Sequence, residues 1–334
     1  MECWKELLML DKDIKKKAIN PKDKSNAQNI PLDKIFKALT FTASLGVILL
    51  LGFIIFKLFM ESALSVEKFG FKFITSMEWD PVKGEFGAGA YIFGTIVSSL
   101  IAILIATPVS VGIALYLTEI APPWLSTPVG FLVELLAAIP SVIYGLWGIF
   151  VFVPFIRQYI QKPIGDLFGW IPLFSGPPLG IGMLSAGLIL AIMIIPIITA
   201  ISRDIISSVP TLQREGAMAL GATRWEVIKY AILPFAKSGI LGGIILGMGR
   251  ALGETMAVTM VIGNRPEIKA SLFAPAHSMA AVIANEFTEA TDDIYLSALI
   301  EVGLLLFLVT FIMNGLARFF IWSVARGPKG GIRQ

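Results

Sequence analysis

The stretch Glu215–Pro234, EGAMALGATRWEVIKYAILP, is a polar helix-turn-helix set between long apolar segments. Gly221 follows a run of helix-tolerant residues and supplies the left-handed position that ends a helix. Thr223 stands three residues before Glu226, the capping-box spacing that starts another. Pro234 predicts where that second helix stops. A polar insert of this kind in an apolar chain predicts an aqueous surface shaped for another protein to grip.

The flanks say what kind of chain carries it. The 334 residues are 56% hydrophobic and 15% charged, with a mean hydropathy of +0.79. Soluble globular chains carry roughly a quarter charged residues, so this composition excludes that class. Runs of about 20 apolar residues cross a bilayer core of roughly 30 Å. Such runs fall at Phe36–Met60, Tyr91–Leu117, Phe131–Ile156, Ile181–Ile201, Ser238–Gly263 and Ser297–Trp322. None alternates as a barrel strand does, so the expected fold is an all-α membrane protein with six transmembrane helices. Six crossings place both ends on one side.

Basic residues choose that side. Lys5, Lys12, Lys15, Lys16, Lys17, Lys22, Lys24 and Lys34 precede the first span, and Arg326, Lys329 and Arg333 follow the last. Arg203, Arg214, Arg224, Lys229 and Lys237 surround the polar loop, whereas the opposite loops carry Glu78, Asp80, Glu85, Glu286, Glu289, Asp292 and Asp293. The positive-inside rule therefore puts both termini and the loop in the cytoplasm of a multi-pass cell-membrane protein. The expected organisation is a Lys-rich tail over residues 1–35, a permeating domain over 36–322 and a tail over 323–334. Within the domain lie an external cap at 62–90, an irregular Pro- and Gly-rich external lid at 157–180 and the cytoplasmic loop at 202–237. The net charge of +3 follows from this asymmetry and is no sign of nucleic-acid binding. Residues 20–29 have almost no apolar face and predict a disordered tether. The long polar stretch before the first span argues against a cleaved signal peptide.

The fifth span is the densest in signals. Gly239, Gly243 and Gly247 recur every four residues, and Gly249 and Gly253 repeat the interval on a neighbouring stripe. Small-residue rows of this kind let helices approach closely in lipid. Arg250 and Glu254, four apart, are expected on one face of that helix. Counted from Ser238, Arg250 lies about 18 Å along it at 1.5 Å per residue. An arginine at such depth is unfavourable and predicts a protein interior or a wet path, with a guanidinium fork suited to oxyanions. A structural ion pair that fixes helix packing is the plainer alternative. Thr255 and Thr259 add hydroxyls along the same path, and Glu134 is a secondary acid near the cytoplasmic end of the third span. Pro108 and Pro140 predict kinks in the second and third spans.

Catalytic constellations are missing from the sequence. There is no Walker A loop, no His-Glu-x-x-His and no Gly-x-Ser-x-Gly. With one cysteine, Cys3, a disulfide or cysteine metal cluster within the chain is excluded, and no metal site or cofactor is expected. The one histidine, His277, is expected to be solvated in an external loop.

The loop resembles the EAA loop of ABC-importer permeases through Glu215, Ala217, Gly221, Leu233 and Pro234, although Gly216 and Ala231 depart from that pattern. Further blocks are similar to one family, the PstC-type permease of the phosphate-specific ABC importer. They are FLVELLAAIPSVIYGLWG at Phe131–Gly148, SGPPLGIGMLSAGLILAIMIIPIITA at Ser175–Ala200 and GGIILGMGRALGETMAVTMVIGN at Gly242–Asn264. The external FGFKFITSMEWDPV at Phe69–Val82 and ANEFTEA at Ala284–Ala290 join them, while the Lys-rich tail does not. The resemblance implies a type I importer permease that hydrolyses no ATP itself. Its implied partners are a PstA-type sister permease, a PstB-type ATPase dimer and a PstS-type phosphate-binding protein. It also implies that Arg250 and Glu254 belong to a translocation path, and that Glu215–Pro234, with Thr223 and Glu226, seats in the ATPase. A permease for molybdate or sulfate, or a phosphate-sensing scaffold, are the rival readings.

Overall fold

The computed structural model describes residues 31–325, so the tail segments 1–30 and 326–334, with the expected tether at 20–29, lie outside the described residues. The chain divides into two compact units, residues 1–57 and 58–334. The first unit contributes most of helix Pro31–Glu61, which has no polar stripe on any side. Six helical stretches are long and apolar enough to cross a membrane: Lys34–Glu61, Gly89–Ile120, Ser141–Phe168, Met183–Ser207, Arg224–Gly253 and Asp293–Phe319. Among the described residues there are helices and two isolated bridges, and no strand.

The second unit is built around the fourth span, the most enclosed of the six. Ala102 and Ala106 of the second span meet Ala186, Ile189, Leu190, Ile194 and Ile198 of the fourth in one buried cluster. Small side chains bring these helices close enough to bond across. Ser110 Oγ donates to the Ile195 carbonyl at 3.1 Å, and Thr199 Oγ1 to the Ser110 carbonyl at 3.4 Å. Gly239, Gly243 and Gly247 do for the fifth span what their spacing predicts. A Cβ on each would stand 2.7, 3.1 and 2.9 Å from Ile205, Ile201 and Ile198 of the fourth.

The segment between the first two spans forms a cap of two short helices, Ala63–Phe69 and Lys72–Thr75, closed by an Asp80–Glu85 bridge. Phe73, Phe86 and Tyr91 bury against Met279, Val282, Tyr295 and Leu299. Trp79 Nε1 and Tyr295 Oη both donate to Glu286 Oε2, at 2.6 and 2.7 Å.

Several expectations are corrected. Pro234 does not end the second helix of the loop; the chain stays helical from Arg224 to Gly253. A π turn at Ile228–Ile232 precedes Pro234, which then occupies the first turn of Leu233–Gly253, where a missing N–H costs little. The third span starts at Ser141, not Phe131. Ile139 (ψ 130°) and Pro140 (ψ 138°) are extended, so they separate helix Pro123–Ala138 from the span and do not kink it. The second span runs on through Pro108. The lid is irregular only in part, because helix continues through Lys162–Phe168 before the chain becomes loop.

The fifth helix stops at Gly253, short of the expected Gly263. Glu254 is extended (φ −71°, ψ 126°), and a separate short helix follows at Met256–Val261. Arg250 and Glu254 therefore do not share a helix face, and no ion pair joins them. His277 is also misplaced by the sequence reading. It is 3% exposed, set edge-on to the Tyr91 ring at 5.1 Å, with its Nδ1 accepting from the Ser278 N–H at 3.1 Å. Burial depresses its pKa to about 4.

Candidate functional site

Two regions merit a functional account: the polar helix-turn-helix and the surroundings of Arg250. The first is folded by local rules. Helix Thr211–Ala219 ends with Gly221 at φ 85°, and its last carbonyls are closed in a Schellman pattern. Gly221 N–H reaches the Met218 carbonyl at 2.9 Å and Ala222 N–H the Ala217 carbonyl at 3.2 Å. Thr223 and Glu226 form the reciprocal capping box, with Thr223 N–H donating to Glu226 Oε2 at 2.8 Å and Glu226 N–H to Thr223 Oγ1 at 3.4 Å. These bonds to Thr223 hold the Glu226 carboxyl below the usual carboxylate range.

The motif is moored to the spans from below. Val227, Ile228 and Ile232 bury against Ala114, Ile206 and Val209, with Ala217 and Leu233 at the edge of that cluster. Arg214 adds a polar strut. It donates to the Ile206 carbonyl at 2.7 Å and pairs with Glu119 at 3.0 Å, tying the first helix of the loop to the ends of the second and fourth spans. A second pair, Arg203 with Glu134, joins the fourth span to helix Pro123–Ala138. Glu215 and Pro234 point outward. So do Leu212, Leu220, Trp225 and Tyr230, all more than half exposed. Large apolar side chains left bare on a polar loop mark a protein-binding surface. The sequence motif singled out the frame of this surface but not these contact residues, whose apolar character reads equally well as core.

The Arg250 region is organised by the helix break. Glu254 Oε1 accepts the Ala257 N–H at 3.3 Å, so its carboxylate caps the short helix Met256–Val261. That helix lies over Gly145, where a Cβ would come 2.6 Å from Met260 Sδ and 3.1 Å from Ala257 Cα. Tyr144, Met193 and Ala257 bury together. After Val261 the chain folds back and its carbonyls receive the first N–H groups of the fourth span. Gly182 bonds to Val261 at 2.9 Å, Met183 to Ala274 at 3.1 Å and Leu184 to Leu272 at 2.9 Å. Three blocks far apart in sequence thus converge on one broken crossing. Broken helices in apolar segments are tolerated only where protein or a wet cavity surrounds them.

The expected path residues divide around this break. Arg250 is exposed and lines a groove shared with the sixth span. Glu254, Thr255 and Thr259 lie beyond the helix end and do not line it. Thr255 Oγ1 bonds the Gly253 carbonyl at 3.4 Å and Thr259 Oγ1 the Thr255 carbonyl at 2.7 Å, so both hydroxyls are occupied by local backbone. Asn314 and Arg318, which face Arg250 across the groove, were not singled out from the sequence. A polar residue near the end of an apolar span reads there as an interface anchor. Among the described residues no cluster of His, Cys, Asp or Glu could hold a metal ion.

Comparison with known proteins adds to this geometry. Residues 108–325 match the family model described as "Binding-protein-dependent transport system inner membrane component". The chain is 50% identical over 296 residues to the phosphate transport system permease protein PstC of Mesorhizobium japonicum, covering 87% of this chain and 90% of that one. It is 48% identical over 299 residues to the protein of the same name from Pasteurella multocida, covering 88% and 93%. Among solved structures it resembles a chain of a bacterial alginate ABC transporter crystallised with a pentasaccharide-bound periplasmic protein. That match has a TM-score of 0.59 at 15% identity, covering 90% of this chain and 99% of that one, and it speaks for the fold alone.

Proposed function

The chain belongs to the family of binding-protein-dependent transport system inner membrane components, and from that premise we propose that it is the permease subunit of an ATP-driven importer of inorganic phosphate. The observation that carries this reading is its similarity to permeases named for phosphate transport across nearly nine-tenths of its length. The matched residues include both the helix-turn-helix and the Arg250 groove.

In this reading the chain and a sister permease form the path, and a cytosolic ATPase dimer grips Glu215–Pro234. Phosphate arrives on an external binding protein that docks on the cap and lid. The ATPase subunits bind and split the nucleotide, so this subunit is not itself an enzyme and holds no cofactor. Closing of the ATPase pair pushes on helix Thr211–Ala219, and the strut from Arg214 to Glu119 and Ile206 passes that push to the second and fourth spans. Arg250 meets the anion. Glu254 holds the break in the fifth crossing open by capping the next helix, so the backbone there can line a polar path. A transport contact must also release its ion, and an exposed guanidinium open to a groove suits that need.

Vesicles containing this chain with its three partner chains test the reading. ATP-dependent accumulation of radiolabelled phosphate, with sulfate and molybdate as failed competitors, is the expected result. Uptake of sulfate or molybdate in preference to phosphate overturns the substrate. Phosphate uptake without any ATPase subunit overturns the coupling.

A further inference from the structure

A groove of about 850 Å³ opens between the fifth and sixth spans, and its polar points are Arg250, Asn314 and Arg318. Asn314 and Arg318 lie one helical turn apart on Asp293–Ala325, hence on one face. Asn314 stands opposite Gly249: a Cβ there would sit 3.9 Å from its Nδ2 and 4.0 Å from its Oδ1. Arg318 is about 6 Å further along the axis at 1.5 Å per residue. The two arginines thus flank the carboxamide from opposite helices. Gly242 and Gly315, also in the lining, have open space where a side chain would stand, which widens the groove.

The charge of the groove is unbalanced. No Asp or Glu lines it, and among the described residues neither arginine has an ion-pair partner. The nearest acid along the fifth crossing, Glu254, is committed to the Ala257 N–H. Arg250 lies within its span, where an arginine costs about 2.5–3.5 kcal/mol on insertion scales, while Arg318 stands one residue from the end of the sixth span. Two arginines facing one cavity also repel each other. An anion held between them relieves both penalties, and guanidinium forks match a tetrahedral oxyanion two oxygens at a time.

We propose that Asn314 and Arg318 of the sixth span complete, with Arg250, a two-arginine site for a phosphate-type oxyanion. Arg250 supplies one fork, Arg318 the second, and the Asn314 amide a neutral donor between them. The inference rests on the proposed function in taking the transported anion as the occupant. A lipid phosphate headgroup offers the same chemistry, and the experiment separates the two.

The test uses the full complex in vesicles of phosphatidylcholine alone and of phosphatidylcholine with phosphatidylglycerol. Uptake of radiolabelled inorganic phosphate is read per assembled complex. Arg318→Gln is expected to lower uptake about tenfold or more in both lipids, as loss of a charged hydrogen bond implies. Arg318→Lys, which keeps the charge without the fork, is expected to recover an intermediate rate, a rescue that a packing role would not give. Asn314→Ala is expected to lose several-fold. Wild-type uptake by Arg318→Gln in both lipids overturns the site, and so does a loss confined to one lipid, which assigns the residue to headgroups. Should Arg318→Gln fail to assemble, wild-type rates in both Arg318→Lys and Asn314→Ala overturn it equally. If the wild-type complex carries sulfate or molybdate and no phosphate, the proposed substrate fails. The site then stands or falls on the same Arg318→Gln loss read with that oxyanion.

Discussion

Arg250 and Glu254 are four positions apart in sequence and on opposite sides of a helix break in space. Their chemistry was legible, since charged residues inside an apolar run announce themselves, but their relation was not. Four-residue spacing implies one face only while the helix lasts, and Gly253 with the Glu254 cap ends it. The two residues therefore differ in what their loss should do. Arg250→Gln is expected to abolish phosphate uptake while the complex still assembles on the ATPase, and normal uptake by an assembled variant contradicts its place in the path. His277 shows the opposite failure, a polar side chain read as solvated that is buried beside Tyr91. Its pKa falls from 6.5 to about 4 on folding. The unfolded chain thus binds more protons between those values, so stability is whole above the upper value and is lost as pH falls toward the lower. The linkage is worth about 2 kcal/mol between roughly pH 7.5 and pH 5. His277→Gln should flatten that part of the melting-temperature profile, and an unchanged acid slope would exclude His277 as its source.

At the scale of elements, prolines account for most of the boundary errors. A helix interior rejects proline because the ring meets the carbonyl four residues back and lacks an N–H. Among the described residues three of the four π turns, Gly148–Phe152, Arg157–Gln161 and Ile228–Ile232, each precede by two residues a proline that lies in continuing helix: Pro154, Pro163 and Pro234. At these three the carbonyl four residues back lies inside the π turn and the helix continues, whereas at Pro122, which follows the π turn Tyr116–Ile120 at the same spacing, Ala121 and Pro122 are extended and the helix ends. Pro108 and Pro196 lie inside continuous helices with no π turn before them, so the turn is one accommodation among others; at Pro140 the helix breaks because Ile139 and Pro140 are extended. The loop at Gly221 was legible to the residue, because left-handed caps and capping boxes are local and need no tertiary partner. A Cβ at Gly221 would meet nothing within 4 Å, so backbone strain at φ 85° is the whole constraint. Asparagine tolerates that conformation and valine does not. Gly221→Asn should keep near-normal coupling, whereas Gly221→Val should raise the ATP hydrolysed per phosphate several-fold. Equal coupling in the two variants would remove the cap from the transmission of force.

Over the whole molecule, composition fixes the class and charge predicts the orientation, while the packing order of the helices was hidden. The fourth span is only marginally more apolar than the first and sixth, yet it is the enclosed centre, because its small residues and those of the second span permit close approach. The orientation is a separate claim and can be tested without transport. The loop at Arg224–Lys237 carries bases that a translocating chain retains inside, and the cap at Lys68–Lys83 mixes them with Glu78, Asp80 and Glu85. Only the positive-inside asymmetry, and not the fold, says which of these faces the cytoplasm. Replacing Cys3 by serine removes the native thiol and allows single cysteines to report from each side. In intact cells, stripped of any outer barrier, Lys83→Cys is expected to react with a membrane-impermeant maleimide and Lys229→Cys to react only after lysis. Both positions are exposed, so accessibility of the side chain does not confound the comparison. The reverse pattern would place the helix-turn-helix outside, beyond reach of any cytosolic ATPase, and the coupling role of Glu215–Pro234 would fall with it.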